Sequence, residues 1–313
     1  MAVRRPAVVG VGATGAVLAA ALAETAPDAV CVVSRPGTAE ALRQNGIRVS
    51  GAIEKRVRVR NVAVGVAELA RHEPDAVFLC TKTYSLPRVL SDLAAVLPAG
   101  VPVVSCQNGL GTEDDVAEAF GKANAFRMVL NYGCARQGPG EVRVAFFNPP
   151  NHLGPVLPEG ADVARELAER LSAAGLATKA VEDVGRFVWR KMVMKCTMAS
   201  ICALADLTLR EALTLPASRR VADACFREVL AVARALGYDL GEEYLSQAVA
   251  YLEKAGVHKD SMCHDLEAGR PTEIEYLGGR VVAYAERLGI PVPHYATLTD
   301  MVRALEAKRL GGA

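Results

Sequence analysis

Two lysines interrupt an otherwise apolar run, WRKMVMKCTMASICALADL, from Trp189 to Leu207. Lys191 and Lys195 stand at i and i+4, so on a helix they share one face, a single turn apart. An ammonium among Met192, Val193, Met194 and Cys196 is costly to bury unless it is paired or has chemical work to do. For Lys195 a second reading stays open: its stem packs on the helix while the ammonium reaches solvent. A second reactive cluster is SMCHDLEAGRPTEIEYLGG, residues 261–279, with carboxylates at Asp265, Glu267, Glu273 and Glu275 around a helix break at Gly269–Pro271. Glu267 and Glu275 read as solvated or capping groups. Glu273 follows Thr272 at the start of the next helix, and spacing alone leaves it between a cap and a ligand-facing carboxylate.

At the other end, VVGVGATGAVLAAAL fits G-x-G-x-x-G at Gly10, Gly12 and Gly15. These glycines permit a tight turn, close backbone approach to a pyrophosphate and close helix packing. The pattern is weak alone, but here it follows a strand and opens a helix, the context that makes it a dinucleotide site. The next strand ends in VVSRPG with no acid to hold a ribose 2′-hydroxyl. Ser34 and Arg35 instead suit a 2′-phosphate, so NADPH is the expected cofactor. Lys82 in CTKTY and Asn108 in SCQNGLG follow later strands, where ligands of open α/β sheets gather.

These groups need two kinds of scaffold. Up to residue 181, short buried runs (7–11, 29–34, 76–80, 101–106) alternate with helical stretches such as 15–26 and 86–97. That grammar predicts an α/β, Rossmann-type, doubly wound parallel sheet. The alternating stretch 55–64 reads as an exposed antiparallel strand inserted in that sheet, and 140–149 as an extension of its edge. From 182 onward the strands stop. Helices are predicted over 184–205, 217–236, 242–255, 261–268, 274–288 and 296–310. The expected organisation is therefore 1–181, a cofactor-binding domain, and 182–313, an all-helical substrate and dimerisation domain. A ligand is expected between the two.

A net charge of +1 on 313 residues gives no general attraction for nucleic acid or an anionic membrane. No apolar run is long enough to span a bilayer, and the N-terminus does not read as a signal peptide. The eight cysteines lack C-x-x-C spacing and read as reduced, which predicts a cytoplasmic protein, and the five histidines suggest no metal site.

Over nearly its whole length the chain resembles the ketopantoate reductase (2-dehydropantoate 2-reductase) family. The resemblance rests on GxGxxG, CTKTY, QNG, the W-x-K helix and SM-x-x-D-x-x-x-GRPTEIE. It implies NADPH-dependent reduction of a 2-oxo acid on the route to pantothenate. By matching position, Lys191 resembles the catalytic general acid, Glu273 the substrate-orienting carboxylate and Ser261 a substrate contact. Lys82 and Asn108 match the junction of cofactor and substrate. Burial of Lys191 is expected to lower its pKa towards working pH. The chain departs from the family where asparagines usually follow the catalytic lysine by one and two turns, because it has Lys195 and Ala199 there. A further asparagine expected near Thr208–Arg210 has no counterpart. The expectation is that Lys195 lines the substrate pocket, that Ala199 leaves room, and that a more anionic 2-oxo acid is accepted. Rival readings are a dehydrogenase of 3-hydroxy acids or opines, and a non-catalytic NADPH-binding regulator.

Overall fold

The computed structural model describes residues 3–311, in two compact units. One comprises residues 1–107 and 112–184; the other comprises Asn108–Gly111 and Gly185 onward.

The first unit is built on strands β1 (Pro6–Val9), β2 (Val30–Val33), β3 (Ile47–Gly51), β4 (Lys55–Val57), β5 (Asn61–Val64) and β6 (Ala76–Leu79). These are followed by β7 (Val103–Ser105), β8 (Ala125–Val129), β9 (Tyr132–Gly138), β10 (Glu141–Phe147), β11 (Asn151–Pro155) and β12 (Thr178–Ala180). The main sheet runs β12-β11-β8-β7-β6-β1-β2-β5. It is parallel except where β11 meets β8. Starting at β1, the chain winds out through β2 to β5, then returns to β6 and winds the other way. The order therefore reverses between β1 and β6, and ligands of open α/β sheets bind at such a switch point.

Helix α1 (Ala13–Thr25) is apolar on all sides, and Gly15 to Leu22 are all buried. An all-round apolar helix needs cover on every face. Here it packs against β1, against helix α5 (Ala161–Ala173), and against a second sheet ordered β4-β3-β10-β9. That second sheet corrects two sequence expectations. The stretch 55–64 is two strands: β4 lies antiparallel to β3, whereas β5 is a parallel edge strand beside β2. Residues 141–147 extend no edge of the main sheet, because β10 lies between β3 and β9 in the smaller one. β4 and most of β10 alternate because the smaller sheet has one solvated face, whereas β5 buries the adjacent residues Val62 and Ala63. Alternation does not say which strand is the partner.

In the second unit the helices are α6 (Val184–Ala205), α7 (Leu209–Thr214), α8 (Pro216–Ala235), α9 (Glu242–Ala255), α10 (Ser261–Glu267), α11 (Gly278–Leu288) and α12 (Pro293–Arg309). The predicted helix 274–288 is broken at Leu277 into a 3-10 turn, Ile274–Tyr276, and α11. Helix α7 was not anticipated, although its signal is present. Thr208 and Glu211 form a capping box, with the Thr208 side chain accepting from the Glu211 N–H. Among the described residues no helix is long and apolar enough to cross a membrane, and the eight cysteines are free thiols.

Candidate active site

In the first unit the glycine turn joins β1 to α1 at the switch point. Gly10 has φ +93°, and a Cβ there would sit 2.7 Å from the Thr81 nitrogen beyond β6. A Cβ on Gly15 would drive into the Gly10 carbonyl and reach Cys80 Cβ at 3.0 Å. These two glycines let helix and strands close on each other. Gly12 differs, since a Cβ there would meet nothing within 4 Å. It is the N-cap of α1, and no side chain caps that end. The first-turn N–H groups of a helix have no intrahelical acceptor and carry partial positive charge. Open space beside such donors fits a pyrophosphate.

Ser34 and Arg35 are exposed at the end of β2, and Arg35 makes no ion pair among the described residues. Its backbone carbonyl accepts from the Thr38 and Ala39 N–H groups at 3.0 and 3.1 Å, so the start of helix α2 (Pro36–Asn45) sets its direction. Lys82 is half-buried and caps a 3-10 turn just after β6.

A buried polar network follows β7. Ser105 Oγ donates to Gln107 Oε1 at 2.9 Å and lies 2.6 Å from Thr112 Oγ1. Arg127 on β8, 1% exposed, donates to Ser105 Oγ at 2.7 Å and to Thr112 Oγ1, and lies 3.6 Å from Glu113. It brackets the chain on both sides of the Asn108 turn. Sequence reading passed over Arg127, although an arginine inside the apolar run AFRMVL is itself a signal.

The Asn108–Gly111 turn belongs to the helical unit. The Leu110 N–H donates to the Tyr276 carbonyl at 2.8 Å, and the Gly109 N–H lies 3.1 Å from Met192 Sδ. Gly109 has φ +121°, and a Cβ there would be 2.8 Å from Tyr276. The turn therefore contacts both the Glu273–Tyr276 turn and helix α6, one residue from Lys191. Lys191 and Glu273 are both half-buried. Trp189 is buried and stacks on Tyr238, just past α8, with ring centroids 6.0 Å apart. The GRPTEIE loop is shaped by Gly269 at φ +60° and by Arg270, which donates to Asp265 Oδ1 at 2.9 and 3.0 Å. Glu275 pairs with Arg303, and Glu267 with Lys259, in keeping with their structural reading.

One turn along α6, Lys195 Nζ donates to Asp260 Oδ1 and Oδ2 at 2.7 and 2.6 Å and to Ser261 Oγ at 2.9 Å. Asp260 is 7% exposed and also caps α10, accepting from the Met262 N–H at 2.9 Å. The charge of Lys195 is thus matched by a carboxylate that sequence reading did not single out. Ala199 is 0% exposed, so tight packing closes the room expected there. Beside it, burial pushes the Cys196 thiol up to about 12.

Residues 7–157 match the family described as Ketopantoate reductase PanE/ApbA, and residues 183–306 match Ketopantoate reductase PanE/ApbA C terminal. The 2-dehydropantoate 2-reductase of Streptococcus pyogenes serotype M18 is 30% identical over 302 residues, 96% of this chain and 97% of that protein. The chain belongs to the ketopantoate reductase family. Among solved structures, 2-dehydropantoate 2-reductase from Geobacter metallireducens GS-15 is 27% identical with a TM-score of 0.87, over 96% of this chain and 99% of that one. The ternary structure of D-mandelate dehydrogenase with NADH and anilino(oxo)acetate has the same TM-score, 0.87, at 21% identity, over 97% and 99% of the two chains. As a ketopantoate reductase family oxidoreductase, the chain has Lys191, Glu273 and the Asn108 turn gathered in one unit, while Gly10, Gly12, Gly15, Ser34, Arg35 and Lys82 lie in the other.

Proposed function

We propose that this protein is an NADPH-dependent reductase that converts a 2-oxo acid to a 2-hydroxy acid, with ketopantoate the first substrate to test. One observation carries the reading. The Asn108 turn is bonded to the Glu273–Tyr276 turn and touches Met192 of α6, so three motifs far apart in the chain meet at the residue next to the half-buried Lys191.

The nicotinamide, when bound, supplies the hydride that the 2-oxo carbon receives. The open Gly12 turn holds the pyrophosphate, and Ser34 and Arg35 hold the 2′-phosphate by charge-assisted hydrogen bonds. Lys191 donates a hydrogen bond to the substrate's carbonyl oxygen, stabilises the negative charge that builds there, and delivers the proton that completes the hydroxyl. Glu273 orients the substrate. Lys82 and Asn108 act where cofactor and substrate adjoin. The test is NADPH oxidation with ketopantoate and with aliphatic, aromatic and dicarboxylic 2-oxo acids, for wild type and Lys191→Ala. Turnover of none by the wild type overturns the reading.

The second reading, a 2-oxo acid other than ketopantoate, is favoured by Lys195 and Ala199 in place of the family's amides. The same panel separates the two.

A further inference from the structure

The polarity of the contacts around Lys195 says what that residue does. An ammonium has three N–H donors and no acceptor. Its three short contacts are the two Asp260 oxygens and Ser261 Oγ, so its donors are used within the protein. Because Lys195 can only donate, Ser261 Oγ accepts, and the serine proton must point elsewhere. Asp260 Oδ1 lies 3.5 Å from Ser261 Oγ, beyond a normal O–H···O distance, and already accepts from Lys195 and the Met262 N–H. Ser261 is exposed, so the open direction for its proton is outward. The next residue back strengthens the clasp: Lys259 holds Asp206, just past α6, at 2.5 Å, and Glu267 at 2.7 Å.

We propose that Lys195 is a positioning residue that, locked on Asp260, presents Ser261 Oγ as a hydrogen-bond donor to the substrate and does not itself bind a substrate anion. This rests on the functional reading above, and on the substrate contact that the family resemblance implies for Ser261, and deepens it. A neutral amide can turn either end to a ligand, whereas this pair sets one polarity and adds no net charge. The face therefore selects an acceptor oxygen on the substrate and gives no advantage to an added carboxylate.

The experiment is a double-mutant cycle in steady-state kinetics on the best 2-oxo acid of the wild type, using Lys195→Met, Ser261→Ala and the double variant, with NADPH affinity measured alongside. A second cycle starts from Lys195→Met/Asp260→Asn, which leaves no unpaired carboxylate and guards against misfolding. Each single change should raise KM about tenfold, the value of one charge-assisted hydrogen bond, with a smaller change in kcat and unchanged NADPH affinity. In either cycle, combining the lysine change with Ser261→Ala should be no worse than Ser261→Ala alone. Multiplying effects, an unchanged KM in both lysine variants, or a selective loss of dicarboxylic acids in Lys195→Met overturns the inference while the reductase reading stands. A wild type that reduces no 2-oxo acid overturns both, and that result is read before any variant is made.

Discussion

The glycine turn of the sheet unit and the lysine face of the helical unit are built from opposite materials. The turn is defined by side chains that are missing: Gly10 and Gly15 let backbone close on backbone, and Gly12 leaves a space bordered by helix donors. The lysine face is defined by side chains that are matched, with Lys195 on Asp260 and Lys259 on Asp206 and Glu267. Gly10 and Gly15 close on Thr81 and Cys80 far along the chain, yet the glycines themselves stand at fixed short spacing, so a short motif can announce them. Charge matching joins residues far apart in the chain, so no local pattern reveals it. The comparison can be broken at either end.

The largest effect is expected at Lys191. Lys191→Ala should lower kcat by about two to four decades, the range for a lost general acid, with NADPH affinity nearly intact. Single-turnover kinetics with a cofactor titration checks this, and a near-normal rate would place the proton donor elsewhere.

Next comes the buried pair. The Lys195 and Asp260 side chains are 15% and 8% exposed, so solvent screens them little. Lys195→Met strands a buried carboxylate and should cost about 3–5 kcal/mol in urea unfolding. Adding Asp260→Asn should restore most of that loss. Equal stabilities for the single and double variants would mean that the two charges are not coupled.

How much of this was legible follows the same division. The parallel sheet, the glycine turn and the boundaries of α6 followed from local apolar runs and from glycines at fixed spacing. The second sheet did not, because β3 finds β10 across most of the first unit and alternation carries no address. In the candidate site, the resemblance pointed to Lys191, Glu273 and Asn108, and the fold gathers their segments in one unit. Asp260 and Arg127 went unread for one physical reason: a buried ion is explained by its partner, and the partner comes from another element. The room inferred at Ala199 was wrong because a small side chain inside a close-packed helix is filled around, not left open.

The glycines sharpen the contrast at smaller cost. Gly15→Ala forces a Cβ against the Gly10 carbonyl and should destabilise the fold by about 1–3 kcal/mol, as overpacking does. Gly12→Ala meets no atom within 4 Å, so stability should stay within about 0.5 kcal/mol while NADPH affinity falls about tenfold. Thermal unfolding and cofactor titration of the two variants separate packing from binding. If both changes lower stability alike, Gly12 does not border open space.

The last effect concerns Arg35, where exposed groups would meet the cofactor. Its guanidinium stands at the end of β2 with no ion pair among the described residues, so a 2′-phosphate would not have to displace a protein carboxylate. A charge-assisted contact is worth about 1.5–3 kcal/mol, and exposure to water and salt places this one at the lower end, about tenfold in affinity. The expected result is a wild type that binds NADPH about ten times more tightly than NADH, and an Arg35→Ala variant that binds the two alike because NADPH weakens while NADH is unchanged. The preference should also shrink as salt is raised, since screening acts on the phosphate contact and leaves the Gly12 turn, common to both cofactors, to hold the pyrophosphate. Equal affinities in the wild type would remove Arg35 from the cofactor site and leave the glycine turn to bind either nicotinamide nucleotide.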